Sequence, residues 1–394
     1  MPKTVILSAV RTPFGKLGGA LASLDACSLG AVAIREALVR AAVTPELVQH
    51  VIMGQVLQAG QGQVPSRQAQ VKAGIPKEVS SETVNKVCAS GMRALGLLDW
   101  AIRAGDTDLA VAGGMESMSQ APYLLKEARF GMRMGDGRVL DAMVHDGLTN
   151  PFSGRQMFDE ATEVGDELQL SREELDRFAL RSHELALKAA EQGRLSAEIV
   201  PVNVRLRRGE TVVSEDEGPR RDSNLAALAK LRGLTGADGS HTAGNSPGVN
   251  DGAAALVVAS DRWAAANDRR PLATVIAQAQ VAGEFAYLAH TPAQAALAAL
   301  SKISVKPADV DLWEINEAFA SVALHSVKAL GIGMERVNVN GGAIALGHPI
   351  GASGARVVGT LVHELRRRGG GVGVAAICSG GGQGDAVVID VPAA

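Results

Sequence analysis

Phe, Trp and Tyr together supply only 3% of the 394 residues, and Lys plus Arg (39) do not outnumber Asp plus Glu (42), giving a formal net charge of −3. The chain therefore lacks both the stacking rings and the basic footprint that nucleic-acid binding requires, which excludes that class of partner. Cysteine is scarce as well: Cys27, Cys88 and Cys378 are an odd number spread along the chain. That pattern fits reduced thiols rather than a disulfide framework, and the expected compartment is the cytoplasm. No apolar run approaches the ~18–20 residues of a membrane span. The first apolar stretch, Thr4 to Val10, stops at Arg11 without a small-residue cleavage site and reads as a strand rather than a signal peptide.

What is present points to a large globular protein. Hydrophobic residues make up 46% and charged residues 21%, close to ordinary soluble proportions, and the length suits two or three domains. Glycine is the excess: 45 of 394, or 11%, against a usual ~7%, so many backbones must turn tightly or approach something closely.

Along the chain, strands and helices alternate. Helical spacing of Leu29, Val32, Ile34, Leu38 and Val39 predicts a helix, and Thr44-Pro45-Glu46 opens a short second one. Val51 to Leu57 and Val84 to Val87 read as strands, the latter running into a helix closed by Gly105, which sets Cys88 at a strand-to-helix junction. Leu109 to Ala112 predicts a buried strand ending at Gly113-Gly114. From Met118 to Val249 the chain is more charged and less regular, as an insertion would be. It holds a capping box at Ser171-Arg-Glu-Glu174 and a hairpin, Val202 to Leu206 with Thr211 to Val213, around Arg208-Gly209. Strands at Ala255–Ala259, Leu272–Ala277, Asp311–Ile315, Gly373–Ile377 and Ala386–Asp390 then alternate with helices at Ala293–Leu300, Glu317–Leu330 and Ala352–Arg368. Such alternation argues parallel or mixed sheets covered by helices. A strand ending on cysteine near each end, Cys88 and Cys378, hints at a duplicated unit.

Cys88 is the strongest chemical candidate, because a thiol at a helix N-terminus feels the positive end of the dipole and is favoured as thiolate; the alternative is a space-filling core cysteine. His348 stands in a glycine-rich loop, Asn340-Gly-Gly-Ala-Ile-Ala-Leu-Gly-His348-Pro, with no helical or strand period to explain it as core. Cys378 precedes Ser379-Gly-Gly-Gly-Gln-Gly384, a turn that bares backbone N–H groups. Two thiols and a histidine in strand-end loops suggest a nucleophile, a base and a second acid/base. Asn316 is placed to hold a water or an oxyanion, and Glu317 either to orient a neighbour or to complement a helix dipole. The cysteines and histidine lack the close ligand pairs of structural zinc sites, so no metal is expected. Neither phosphate-loop nor dinucleotide glycine motif is present.

RTPFG near the start, VNKVCASGMRAL, GGMESMS, AGNSPGVNDGAAA, NEAFA, NVNGGAIALGHPIGASGAR and CSGGGQG together resemble the thiolase family, and the likeness runs essentially end to end. Within it the chain is most similar to short-chain acetyl-CoA acetyltransferases. The resemblance implies an α/β fold of two similar mixed-sheet halves in a five-layered αβαβα arrangement with an inserted loop domain. Its division would be 1–117 plus 249–268 for the N-terminal half, 118–248 for the loop domain that grips coenzyme A, and 269–394 for the C-terminal half. It implies a homotetramer of tight dimers, with coenzyme A thioesters as substrates and no cofactor.

Carried over by position, the resemblance makes Cys88 the acylated nucleophile, His348 its base and Cys378 the group that moves the α-proton of a second acetyl-CoA. It gives His348 with a water on Asn316 one oxyanion hole, and the N–H groups of Cys88 and Gly380 the other. Leu148, Met157, Arg220, Ala243, Ser246, Ala318 and Phe319 stand where relatives contact coenzyme A. Three positions depart from the short-chain pattern: Gln156 where a histidine is common, Pro247 where a serine would reach a pantetheine amide, and Ala227 where serine is frequent. Ser246 or Gln156 is the expected compensation. Two other readings compete: a degradative 3-ketoacyl-CoA thiolase of broader chain length, with a pocket shaped near Met157 and Leu288, and a non-catalytic acyl-CoA or lipid binder. A ketoacyl synthase would more often pair its cysteine with two histidines.

Overall fold

The computed structural model describes residues 1–205 and 209–393; Leu206 and Arg208 of the expected hairpin lie outside these. The chain begins as β1 (Thr4–Arg11) and passes through α1 (Ala26–Arg40) to β2 (His50–Gly54), then through α2 (Pro65–Lys72) to β3 (Ser80–Val84). From there α3 (Ser90–Ala104) leads to β4 (Leu109–Ser117). A long excursion carrying α4 (Met157–Glu167) and α5 (Arg172–Glu191) precedes β5 (Asn250–Ser260). The second half runs β6 (Ala273–Ala282), α6 (Thr291–Ser301), β7 (Leu312–Ile315), α7 (Ala320–Leu330), α8 (Ile350–Arg367), β8 (Gly371–Ser379) and β9 (Gln383–Val391).

The strand order β7-β8-β9-β6-β1-β5-β4-β2-β3 shows the duplication. Each half pairs its first and last strands, sets a second-to-last strand antiparallel beside them, and then adds a parallel neighbour: β1-β5-β4-β2 in one, β6-β9-β8-β7 in the other. Even β3, parallel to β2, has a vestige in the bridge between Trp313 and Val337. The halves join where Thr4, Val5 and Ile6 face Val275, Thr274 and Ala273.

This register corrects the cysteine correspondence. Counted from the antiparallel partner strands, Cys378 opposes Gly384 as Glu116 opposes Gly252. The counterpart of Cys378 is thus Glu116, while Cys88 corresponds to the turn before α8. Both cysteines end a strand-like run in sequence, but only the pairing shows which strands are equivalent.

Alternation along each strand explains the layers. In β4, Leu109 and Val111 join a core under α1 and α2, whereas Ala110 and Ala112 join the core around α3 and α8. In β8, Val374 and Ala376 face the α6 and α7 side while Ala375 and Ile377 face the same central pair of helices. Side chains of a strand point to opposite faces in turn, so strands apolar on both faces must lie between two helical layers. Helices α3 and α8 fill the middle and approach closely at glycine. A Cβ on Gly354 would come within 2.3 Å of the Met92 backbone N, and one on Gly91 within 2.8 Å of the Ala355 N. Gly354→Ala would push these two helices apart. Their crossing brings together the two N-terminal ends that carry Cys88 and His348.

Other expectations meet specific outcomes. The Ser171 capping box is formed in full, a cap of the kind usually contributing ~1 kcal/mol. Strand β4 does not stop at Gly113-Gly114 but continues to Ser117; Gly114 lies against the Gly351 carbonyl, where a Cβ would sit at 1.9 Å. Helix α7 begins at Ala320, not at Glu317, and Cys378 lies inside β8 rather than in a loop. No described helix is long and apolar enough to cross a membrane.

Candidate active site

Strand β3 ends at Val84, and the chain then reverses through Asn85 to Ala89 before α3 begins. At the turn Val87 adopts φ 42°, a left-handed conformation that costs a β-branched residue roughly 1–3 kcal/mol and persists only when its surroundings hold it. Here they do. Asn85 Oδ1 accepts the Val87 N–H at 3.0 Å, and Ser90 Oγ donates to the Val87 carbonyl at 2.6 Å while accepting the Lys86 N–H at 2.8 Å. The Ser379 hydroxyl binds the Lys86 carbonyl from the other half of the molecule. Cys88 follows immediately and is 4% exposed. The Gly380 N–H and its own N–H point at its sulfur, yet burial outweighs them and pushes the thiol up to about 12. Burial thus outweighs the helix dipole, and Cys88 rests as a neutral thiol rather than a thiolate.

His348 is positioned by the loop before α8. Gly347 takes φ 115° close beside Asn250, whose Oδ1 accepts the His348 N–H at 2.9 Å and whose Nδ2 donates to the Gly15 carbonyl at 2.9 Å. Burial, then the nearby Arg356 charge, drops the His348 pKa to about 3. A neutral imidazole results. Its Nδ1 lies 2.6 Å from Ser353 Oγ, and its Nε2 is buried without a hydrogen-bond partner.

Cys378 is fully buried in β8, its thiol pushed well up by burial and by the neighbouring Cys88 sulfur. Gly380 is the first residue of the β8–β9 turn, so the strand that buries Cys378 also delivers the N–H facing Cys88. Asn316 follows β7, and its Oδ1 accepts from Arg356 Nη2 at 3.4 Å while Nδ2 is buried and unpaired. Arg356 is itself fixed by Glu314 at 2.5 Å. Glu317 orients neighbours, as one of its two readings held: it accepts from Ser182 Oγ at 2.7 Å, Asn338 Nδ2 at 2.9 Å and the Ile344 N–H at 3.0 Å. It is no first-turn helix acid. Cys27 belongs to the core under α1, apart from these groups.

Cys88, His348 and Cys378 line one cavity of about 190 Å³ together with Leu148, Met157, Ala318 and Phe319. Leu288 and Pro247 line it too, and Ser246 continues from it into a second cavity of about 230 Å³ lined by Arg220, Ala243, His183 and Lys16. All seven positions assigned to coenzyme A contact thus fall on these two connected spaces. Ser246 Oγ is buried there without a partner. Gln156 differs: its Nε2 donates to Thr149 Oγ1 at 2.8 Å, and the residue faces a separate, larger cavity of about 810 Å³ beside Arg138 and His145. Ala227 is exposed on the short helix Leu225–Ala229 and lines neither space.

Sequence reasoning missed four contributors. Asn250 and Glu116 lie inside motifs quoted above but carry no local sign of their partners; Glu116 accepts the N–H groups of Val56 (3.0 Å), Leu57 (3.1 Å) and Gly351 (3.0 Å). Ser353, five residues after His348 across one helical turn, was the most findable. The left-handed Val87 had no signal at all.

Residues 4–262 match the family description "Thiolase, N-terminal domain", and residues 269–391 match "Thiolase, C-terminal domain". The chain is 48% identical over 391 residues to an acetyl-CoA acetyltransferase of Escherichia coli (strain K12), covering 99% of both chains. It is 46% identical to one of Chromobacterium violaceum, covering 99% of this chain and 100% of the relative. A crystal structure of the Bacillus anthracis acetyl-CoA acetyltransferase superposes with a TM-score of 0.97 at 40% identity, covering 99% of each chain. With both of its halves matched and relatives of this identity along its whole length, the chain belongs to the thiolase family of acyltransferases.

Proposed function

We propose that this protein is an acetyl-CoA C-acetyltransferase, joining two acetyl-CoA molecules reversibly into acetoacetyl-CoA and coenzyme A through an acetyl-Cys88 intermediate. The observation that carries this reading is the convergence of two thiols, one neutral imidazole and the Gly380 N–H on a single buried cavity.

In the first half-reaction His348 Nε2 takes the Cys88 proton as the sulfur attacks the thioester carbonyl. The carbonyl oxygen gathers charge between the Cys88 and Gly380 N–H groups, where losing one donor typically costs ~100- to 1,000-fold. Collapse expels the coenzyme A thiolate, which takes the proton back from His348. In the second half-reaction His348 Nε2 takes the Cys378 proton, the thiolate so formed removes the α-proton of another acetyl-CoA, and the carbanion attacks acetyl-Cys88; collapse expels the Cys88 thiolate, which takes the proton from His348. The enolate oxygen is met by His348 Nε2–H and by a water on the otherwise unpaired Asn316 Nδ2.

Coenzyme A thioesters are substrates here, and no cofactor enters the scheme. Segment 118–248, which supplies Leu148, Met157, Arg220, Ala243 and Ser246, is the coenzyme A grip between the 1–117 plus 249–268 and 269–394 halves. The same reading carries a cytoplasmic homotetramer, and the outer position of β3 in the sheet supports pairing between copies. The test is intact mass after brief mixing with acetyl-CoA, with peptide mapping and acetoacetyl-CoA thiolysis on the same sample. An acetyl group on Cys88 with turnover is expected; neither appearing would leave an acyl-CoA binder.

A further inference from the structure

Lys86 sits two residues before Cys88 and is held at three points. Its N–H is taken by Ser90 within the turn, its carbonyl by the Ser379 hydroxyl, and its ammonium by Asp385 at 2.5 Å, with Gln280 Oε1 at 2.9 Å. Two of these three contacts cross from one half of the molecule to the other, spanning 293 and 299 residues of sequence. The ion pair is well covered, with the side chains of Lys86 and Asp385 14% and 5% exposed. Its partners are not arbitrary places. Asp385 lies in β9 opposite Ile377, next to the Cys378–Gly384 pair, and Ser379 is the residue between Cys378 and Gly380.

We propose that Lys86, through Asp385 and Ser379, is a positioning clamp that sets the Cys88 turn against the hairpin carrying Cys378 and Gly380. The proposal rests on the acyl-transfer reading above. Cys88 and Gly380 belong to different halves, and the oxyanion hole exists only if their two N–H groups converge on one point. Val87 makes this demanding, because a backbone held in a costly conformation relaxes when its restraints weaken. The clamp restrains the turn on one side at the backbone and on the other at the side chain. It acts by position: Glu116, not Lys86, is the side-chain charge that bears on the Cys88 thiol.

The distinguishing experiment compares two reactions at the same sulfur. Acetylation by acetyl-CoA needs the Gly380 donor for its tetrahedral oxyanion, whereas alkylation by iodoacetamide forms none and feels that donor only through the thiolate fraction. Lys86→Met and Asp385→Asn should each slow single-turnover acetylation of Cys88 about 100-fold, the scale of a ~1 Å misplacement, and slow alkylation far less. Lys86→Arg should restore most of the acetylation. Because either single neutral variant leaves one charge well covered without its partner, which destabilises the fold, the double variant Lys86→Met/Asp385→Asn removes both charges and should acetylate as slowly. Wild-type acetylation rates in the folded variants, or acetylation and alkylation falling together, would overturn the clamp. Failure of the wild type itself to acetylate at Cys88 would instead refute the acyl-transfer reading, and the clamp with it.

Discussion

The Ser353 hydroxyl lies 2.6 Å from His348 Nδ1 and 2.9 Å from the Pro349 carbonyl. It can give its hydrogen to only one of them. When the carbonyl takes it, Nδ1 carries the imidazole hydrogen and Nε2 presents a lone pair, the state that accepts the Cys88 proton. Once Nε2 has taken a proton from a thiol it carries a hydrogen that can be donated to an enolate oxygen, while Ser353 Oγ still accepts from Nδ1–H. One hydroxyl would thus support both tasks that the proposed mechanism asks of one histidine. Ser353→Ala removes the support of both states, and kcat should fall about 100-fold with KM little changed. Steady-state thiolysis of acetoacetyl-CoA measures it; an unaltered kcat would refute the role.

The pH dependence of the two partners follows from burial. The His348 pKa is depressed to about 3, so the imidazole stays an unprotonated base until the solution is strongly acidic. Cys88 is raised to about 12, so the fraction of thiolate grows tenfold per pH unit across the whole accessible range. Alkylation of Cys88 should therefore climb without a plateau from pH ~7 to ~10, where an unperturbed thiol with a pKa of ~8.5 would level off. Acetylation, in which the base removes the proton within the cavity, should stay nearly flat over the same interval. A plateau in alkylation near pH ~8 would show a thiol far less buried than this one.

On the proposed mechanism the two cysteines divide the reaction. Cys88→Ala should abolish acyl-enzyme formation altogether, while Cys378→Ala should still become acetylated on mixing with acetyl-CoA yet lose condensation and thiolysis by ~100-fold or more. Mass spectrometry of the intact variants and turnover on the same samples separate the steps. Near-wild-type thiolysis by Cys378→Ala would remove that residue from proton transfer.

Ser246 and Gln156 were equal candidates for replacing the polar contact that Pro247 lacks. Geometry separates them. Ser246 Oγ is buried and unpaired on both connected cavities, whereas the Gln156 amide is spent on Thr149 and faces elsewhere. Ser246→Ala should weaken coenzyme A binding by ~1 kcal/mol, about fivefold in Kd, and Gln156→Ala should not change it. Calorimetric titration decides between them, and the reverse order of effects would send the pantetheine along a different path.

The main strands, the Ser171 capping box and the placement of Cys88 and His348 ahead of helices were readable because each has a local cause: alternation, a capping pair, glycine and proline in the right places. What was not readable is long-range. Nothing near Lys86 announces Asp385, and nothing near Cys378 shows that Glu116 is its counterpart. The Cys88 thiolate was a reasonable inference from the helix terminus, but the dipole is a local quantity and burial is not. Glu317 shows the same limit: an acid at the start of an apolar helical run looks like a dipole partner until its three buried donors are seen.

Strand β1 lies between β5 and β6, whose residues begin at Asn250 and Ala273. During synthesis its apolar run must wait for both neighbours. At ~5–20 residues per second, about 250 further residues take roughly 10–50 s. For that time the segment TVILSAVR has both edges open, the condition in which strands pair with the wrong chain. Such non-local closure folds slowly by nature. The strand that seams the two halves is therefore also the one a nascent chain most needs to have shielded.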